Sequence, residues 1–325
     1  MYFSKEDLQD LLSCFGIKSP IKEHVSLNGN RGYSNYGFYI KADDEYLLRI
    51  AKGLCDGGRY ELECQVLSIL KEKGVSVPVM LKTTSGDVYA NRVINKRQVQ
   101  ACLFYFIPHD RWPLDFMTSS SFRRIVRQIY KMHRILSSTT LKRPDKRFDL
   151  FRYASTYWRR LPSLVVGREL LLGGVKVVEF QRQIDLAREL IAEYLKREIS
   201  IPRQMIHSDL NLMNILVRDG KFEAIVDFDS LGYGSVMDDW ALFSVEWNRY
   251  GIAYLEWPRI RDLILTQFPR EKRGLLKEDM YFRSLAYLVY RLISYLEEKD
   301  EEKLKAVPFW FIEKYGKLAY LLGLR

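Results

Sequence analysis

The sequence predicts an α+β chain with two lobes: a small β-rich N-terminal lobe over residues 1–107 and a larger, mainly helical C-terminal lobe over residues 108–325. Short apolar runs bounded by polar turns dominate before Pro108, whereas longer runs with apolar residues at helical spacing dominate after it. With 325 residues, 47% of them hydrophobic, the chain is long enough to bury two cores. Because ligands favour clefts between lobes, we expect a binding site between them.

The N-terminal lobe begins with a predicted hairpin. Residues 36–40 and 46–50 are β-rich runs, and the polar residues 42–45 between them form a turn. Apolar residues then recur at helical spacing over residues 60–73, and Gly74 ends this predicted helix.

A turn at residues 85–87 and a buried strand over residues 103–107, closed by Pro108, complete the lobe. The C-terminal lobe contains three amphipathic runs that predict helices, over residues 122–136, 178–195 and 277–296. Residues 163–176 fit either a hairpin or a loop between helices.

The charge and cysteine content limit the classes of function. A net charge of +10 indicates either a solvated basic surface or attraction to the phosphates of a nucleotide or nucleic acid, and no nucleic-acid-binding module is recognisable. No apolar run is long enough to span a bilayer, and the first residues do not form a signal peptide. The four cysteines include no CxxC pair, which argues against a disulfide framework or a zinc site. We therefore expect a cytoplasmic protein without a nucleic-acid or membrane partner.

The chemistry is concentrated in residues 205–229, MIHSDLNLMNILVRDGKFEAIVDFD. Asp209 can accept a proton from a hydroxyl nucleophile. Asn214 precedes one predicted strand, residues 215–217, and Asp227 follows the next, residues 224–226; their amide and carboxylate oxygens are ligands that Mg²⁺ accepts. A turn between these strands brings the two side chains together, which predicts a phosphoryl-transfer site.

Each of these residues also has a simpler interpretation. Asp209 could cap a helix or turn, Asn214 could satisfy a loop backbone, and Asp227 could be a turn residue. Their joint spacing favours the catalytic interpretation. His207 follows an apolar segment, so we predict that it holds the loop by hydrogen bonds and does not transfer protons.

The motifs in this region resemble those of the aminoglycoside phosphotransferase/choline kinase family, whose members have a protein-kinase-like fold. The resemblance rests on HSDLNLMN (207–214), IVDFD (225–229) and GSVMDDWA (234–241). It implies that Asp209 is the catalytic base, that Asn214 and Asp227 are metal ligands, and that Asp239 is a buried brace for the catalytic loop. Two residues of the first motif depart from the family pattern: Ser208 replaces the usual glycine, and Asn211 replaces a frequent histidine.

The same resemblance, more weakly, assigns nucleotide contacts to the N-terminal lobe. Residues 27–35, with Ser34 and Asn35 at their end, resemble the small-residue loop over the phosphates. Arg49 lies where the family has its phosphate-binding Lys or Arg, and Glu63 lies where it has the ion-pair glutamate; the alternative for both is a surface charge. The strand that carries Phe104, Phe106 and Ile107 would lead into the hinge beside the adenine.

The expected activity is transfer of the ATP γ-phosphate, with Mg²⁺, to a hydroxyl of a small polar metabolite: an amino alcohol, amino acid, sugar or aminoglycoside. GTP is a second candidate donor, and no oligomeric state is predicted. Glu246, Trp247 and Tyr250 are candidate acceptor contacts. The alternatives are a protein Ser/Thr kinase of the stress-response type, a non-catalytic nucleotide-binding pseudokinase, and a haloacid-dehalogenase-like phosphatase using Asp227 and Asp229. The last would leave Asp209 and Asn214 without a role.

Overall fold

The computed structural model describes residues 3–27, 35–51, 57–110, 119–141, 144, 146–159, 177–196, 201–249 and 257–298. These residues fall into two compact units. The first lies within Met1–Pro144 and Asn214–Leu231, and the second within Asp145–Met213 and Gly232–Arg325. The predicted lobe boundary after residue 107 stays a prediction.

The first unit contains a six-stranded antiparallel sheet in which β1, β2, β3, β6 and β4 are neighbours in that order and β5 pairs with β6. Its apolar side chains form a core with the N-terminal helix α1. The strands are β1 (Glu23–Ser26), β2 (Asn35–Lys41), β3 (Glu45–Ala51), β4 (Met80–Leu81), β5 (Ala90–Ile94) and β6 (Arg97–Tyr105); α1 spans Lys5–Ser13.

The predicted hairpin and the following helix are confirmed. Strands β2 and β3 pair in antiparallel register, with Phe38 opposite Leu48. Helix α2 spans Gly57–Glu72, and Gly74 adopts the left-handed backbone (φ +72°) that favours glycine just after a helix. A turn is also present next to the predicted residues 85–87; it spans residues 83–86 and is closed by the Gly86 N–H donating to the Thr83 carbonyl.

The strand predicted over residues 103–107 was placed too far along the chain. Strand β6 ends at Tyr105, so Phe106 and Ile107 follow it as half-buried residues. The Phe106 N–H still donates to the Glu45 carbonyl at 2.9 Å, but no strand pairing continues past this point. The strand also begins earlier, at Arg97, because its first residues, 97–101, pair with β5.

A helix and a second hairpin also lie in the described part of the first unit. Helix α3 (Ser119–Ser137) confirms the predicted helix over residues 122–136. Strands β8 (Ile215–Arg218) and β9 (Lys221–Ile225) form the predicted second hairpin, turning at Asp219 and Gly220, which both have positive φ.

The second unit is mainly helical over its described residues, which also form a two-stranded sheet, β7 (Arg203–Ile206) paired antiparallel with β10 (Gly232–Ser235). Two of its helices confirm the predictions over residues 178–195 and 277–296. Residues 163–176 lie outside the described residues. The helices are α4 (Leu150–Trp158), α5 (Val177–Leu195), α6 (Val236–Arg249), α7 (Trp257–Leu265) and α8 (Arg273–Glu298).

The described helices give no candidate membrane span, since none of them is both long and apolar enough. Cys14, Cys64 and Cys102 are free thiols. The mixed fold class predicted from the sequence, with a β-rich sheet region followed by helices, is confirmed.

Candidate active site

The loop after β7 is held in place by a carboxylate from helix α6. Asp239 is fully buried, and its two oxygens accept the backbone N–H groups of His207 at 2.9 Å and Ser208 at 2.8 Å. A buried carboxylate that accepts two N–H groups fixes the path of the loop, because each bond to a charged acceptor is stronger than a neutral one. The geometry is that of the brace expected for Asp239.

Asp209 follows this braced segment and is half-buried. Its backbone N–H donates to His207 Nδ1 at 3.3 Å, so His207 holds the loop as predicted. The Asn211 side-chain amide donates to Asp209 Oδ1 at 3.0 Å, which orients the carboxylate. This role of Asn211 was not predicted from the sequence, in which its only signal is the departure from the family's frequent histidine.

The backbone of the loop is unusual at Ser208, whose φ is +61°. A left-handed residue other than glycine is uncommon and often marks a functional loop. The Ser208 side chain packs against Gly232. Any larger residue at position 232 would clash with it, since a Cβ there would lie 2.4 Å from Ser208 Oγ. Gly232 therefore permits serine where the family usually has glycine.

A buried ion-pair network anchors the start of helix α6, next to Asp239. Arg283 of α8 donates to Asp238 Oδ1 at 2.5 Å and to Asp279 Oδ2 at 2.7 Å. Asp279 also accepts the Tyr194 hydroxyl at 2.7 Å. Burial raises the pKa of Asp238 to about 6, although the charge of Arg283 opposes this shift. No motif in the sequence indicates this network.

The two predicted metal ligands lie in the first unit, at the open end of the β8–β9 hairpin. The Val226 N–H donates to the Asn214 carbonyl at 2.9 Å, and Ile215 pairs with Ile225, so Asn214 and Asp227 flank paired strands. Asn214 is buried, whereas the Asp227 side chain is 43% exposed. Asp227 also has a left-handed backbone, with φ 64° and ψ 57°. The hairpin thus brings these two residues together, while Asp209 belongs to the other unit.

Arg49 and Glu63 form a buried ion pair. Arg49 Nη1 donates to Glu63 Oε1 at 3.0 Å, and Arg49 Nη2 pairs with Glu63 Oε2. The guanidinium also lies 3.6 Å from Asp227 Oδ1 and 5.0 Å from the centre of the Phe104 ring. Burial lowers the pKa of Arg49, but the charge of Glu63 outweighs it and the pKa is raised well above its usual range. Arg49 is therefore a buried cation beside the expected metal ligand, and the surface-charge alternative is wrong for both partners.

One donor of Arg49 has no hydrogen-bond partner within the described part of the chain. Its Nε is buried and finds no hydrogen-bond acceptor among the residues that the structure describes. Buried N–H donors are normally satisfied, and a phosphate oxygen is a strong acceptor for a guanidinium. This orphaned donor fits a nucleotide phosphate.

We expect Arg49→Lys to be tolerated better than Arg49→Met. Lysine keeps the charge but loses the bidentate contact with Glu63, so the free energy of unfolding should fall by about 1–3 kcal/mol. Methionine leaves Glu63 as a buried unpaired charge, which should cost about 3–5 kcal/mol. Urea unfolding of the three proteins measures both losses. Wild-type stability of both variants would show that the ion pair does not support the fold.

The remaining predicted nucleotide contacts are only partly brought together. The side-chain amide of Asn35 donates to Asp229 Oδ2 at 2.8 Å, and Ser34 lies outside the described residues. Phe104 is buried beneath the guanidinium of Arg49. Phe106 packs edge-on against Tyr39, with ring centres 4.8 Å apart. The Ile107 carbonyl accepts a hydrogen bond from His109 Nδ1 at 2.8 Å.

The donor set fits a magnesium ion better than a zinc ion. Asn214 and Asp227 offer hard oxygen ligands, and the described residues contain no group of three or more His, Cys, Asp or Glu side chains able to hold a metal. Mg²⁺ is commonly bound by one or two protein oxygens and completes its coordination with water and phosphate. The oxygens of Asn214 and Asp227 are of the kind that could hold this ion together with a nucleotide.

The candidate acceptor contacts are only partly described. Glu246 is buried in α6 and accepts the Tyr287 hydroxyl at 2.6 Å. The side chain of Trp247 and the whole of Tyr250 lie outside the described residues.

The model of the phosphotransferase enzyme family matches residues 28–263. No curated protein matches the chain.

Three solved structures illustrate the likeness of fold. A microcompartment-associated aminopropanol kinase has 16% identity and a TM-score of 0.65, covering 97% of this chain and 98% of its own. A spectinomycin phosphotransferase, APH(9)-Ia, in complex with ADP and spectinomycin has 14% identity and a TM-score of 0.65, covering 98% and 95%. Choline kinase from Cryptosporidium parvum Iowa II has 14% identity and a TM-score of 0.60, covering 92% and 91%.

The family match spans well over half of the sequence and includes all three motifs described above. The chain belongs to the phosphotransferase enzyme family that includes aminoglycoside phosphotransferases, and it has their kinase-like fold.

Proposed function

We propose that this protein is a Mg²⁺-dependent kinase that transfers the γ-phosphate of ATP to a hydroxyl of a small polar metabolite. The observation that carries the proposal is the braced catalytic loop: Asp239 holds the backbone of His207 and Ser208, and Asn211 orients Asp209. A carboxylate held in this way is prepared to accept a proton from a hydroxyl. The ion pair of Arg49 and Glu63 supports the same proposal, because it places a buried cation beside Asp227.

Asp209 would take the proton of the acceptor hydroxyl as that oxygen bonds to the γ-phosphorus. The bond between the γ-phosphorus and the β–γ bridging oxygen breaks, and ADP leaves. Asn214 and Asp227 would hold Mg²⁺, which neutralises charge on the phosphates when bound. Arg49 would contact the phosphates through donors that Glu63 does not occupy. These roles are positioning and charge stabilisation, which account for most of the catalysis of phosphoryl transfer.

Amino alcohols and other small polar hydroxyl compounds are the acceptors we favour. Solved structures with the same fold are named for aminopropanol, spectinomycin and choline. A net charge of +10 disfavours polycationic aminoglycosides as long-range partners. A neutral or singly charged acceptor meets less repulsion.

A phosphate-transfer screen tests this proposal. Wild-type protein is incubated with Mg²⁺ and γ-labelled ATP or GTP beside amino alcohols, amino acids, sugars, aminoglycosides and a generic protein substrate. We expect transfer to at least one class of small molecule, abolished by a metal chelator and restored by Mg²⁺.

Two results would contradict the proposal. Transfer to protein serine or threonine alone would identify a protein kinase. Thermal stabilisation by nucleotide without transfer to any acceptor would identify a non-catalytic nucleotide-binding protein.

A further inference from the structure

Asp229 joins three elements of the first unit. It lies in the short 3₁₀ helix Phe228–Ser230, two residues after Asp227, and is only 8% exposed. Its Oδ2 accepts the amide of Asn35 from β2 at 2.8 Å and lies 3.3 Å from Arg59 Nη2 of α2. Arg59 Nε also donates to the backbone carbonyl of Asp229 at 2.6 Å. Arg59 therefore contacts both the side chain and the main chain of Asp229.

Helix α2 reaches the loop 227–229 a second time, through Glu63. Arg59 and Glu63 are four residues apart, so they lie on the same face of α2. Glu63 binds Arg49, and Arg49 lies 3.6 Å from Asp227. Residues 227–229 are thus contacted at both ends by charged side chains. At one end Arg59 of α2 contacts Asp229 directly, and at the other Glu63 of α2 acts through Arg49.

The charge of Asp229 suits its place beside the helix. The first turn of α2 contains no acidic residue and carries Arg59, although the exposed N–H groups at the start of a helix favour a negative charge. The Asp229 carboxylate lies 3.3 Å from Arg59 Nη2, so a negative charge from a part of the chain 170 residues further on meets the first turn of α2. It can therefore fix the start of α2, which also sets the position of Glu63.

We propose that Asp229 and Arg59 form a positioning pair. The pair fixes the position of Asp227 relative to the Arg49–Glu63 ion pair, so that both can bind a metal–nucleotide complex. This inference rests on the proposed function, because it assigns Asp227 to the metal. Neither residue touches the reacting atoms in this scheme. Removal of the pair should therefore weaken binding of the complex while the protein remains folded. Partners of metal ligands typically contribute about 10–100-fold to metal affinity or activity.

Three variants test the pair: Asp229→Asn, Arg59→Met and the double variant. Asparagine keeps the size and one oxygen of aspartate but removes its charge. The control is Asp10→Asn, because Asp10 and Arg92 form an exposed ion pair of similar length, 3.5 Å, in the same unit. The measurement is calorimetric titration of each folded protein with Mn²⁺ plus AMP-PNP, a non-hydrolysable ATP analogue, beside its urea unfolding curve.

We expect each single variant to bind the Mn²⁺–AMP-PNP complex about 10–100-fold more weakly, with Asp10→Asn unchanged. The double variant should be little weaker than either single variant, because both remove the same contact. Wild-type affinity in Asp229→Asn and Arg59→Met, with only their unfolding curves shifted, would reduce the pair to a structural role and overturn the inference. Absence of binding by the wild-type protein would instead contradict the proposed function.

Discussion

Asp209→Asn is expected to lower kcat for phosphate transfer by about 10²–10⁴-fold while leaving nucleotide binding close to wild type. Asparagine has nearly the same shape, and its oxygen can still accept the Asn211 amide that Asp209 Oδ1 accepts at 3.0 Å. It cannot take a proton from a hydroxyl, so the loss falls on the chemical step. Steady-state kinetics with the best acceptor, beside a titration with AMP-PNP, separate the two effects.

The matched control is Asp219→Asn. Asp219 is an exposed carboxylate in the turn of the β8–β9 hairpin, and its positive φ of 49° is tolerated by asparagine. The substitution changes the net charge of the protein by the same amount. Similar transfer rates for Asp209→Asn and the wild-type protein would show that Asp209 is not the catalytic base.

Asp227→Asn is the second substitution with a large expected effect. Asparagine accepts the left-handed backbone of residue 227, so the loop should keep its shape. The loss of charge weakens the metal site, whose contribution to transfer is several kcal/mol, or about 10²–10³-fold in rate. Unlike Asp209→Asn, this variant should also bind Mn²⁺ with AMP-PNP more weakly.

Titration with metal distinguishes Asp227→Asn from an unfolded or misfolded protein. A raised Mg²⁺ requirement for residual transfer, with an unfolding curve of normal cooperativity, is the expected pattern. An unchanged Mg²⁺ requirement would show that Asp227 is not a metal ligand and that its role is confined to the contact with Arg49.

The local elements of the fold followed from the sequence because they depend on neighbouring residues. The β2–β3 and β8–β9 hairpins show β-rich runs around polar turns, and helix α2 shows helical spacing that ends at Gly74. The end of strand β6 was missed because Phe106 and Ile107 are as apolar as the strand before them. Their lack of strand pairing is a property of the sheet and not of these residues.

The supporting contacts of the site could not be predicted because they join distant parts of the chain. Asn35 and Asp229 are 194 residues apart, and Asp238 and Arg283 are 45 apart. No periodicity or motif marks Arg59 or Arg283 as a partner of a particular carboxylate. The motif residues themselves were recognisable, because Asp209, Asn214 and Asp227 have a fixed spacing along the chain.

Departures from the family pattern are explained by neighbours that the sequence does not place next to them. Ser208 keeps a backbone conformation that usually requires glycine, and Gly232 leaves room for its hydroxyl. The Asn211 side-chain amide donates a hydrogen bond to the carboxylate of Asp209, two residues earlier in the chain. Both residues keep contacts that hold residues 207–214 in place, and these contacts favour the proposed kinase over a pseudokinase.

A crystal structure of the protein with Mg²⁺ and AMP-PNP tests most directly whether Asp209, Asn214 and Asp227 act on one phosphate group. We expect Mg²⁺ about 2.0–2.1 Å from oxygens of Asn214 and Asp227, with the Asp209 carboxylate facing the γ-phosphate. A metal bound elsewhere, or Asp209 directed away from the triphosphate, would contradict the account.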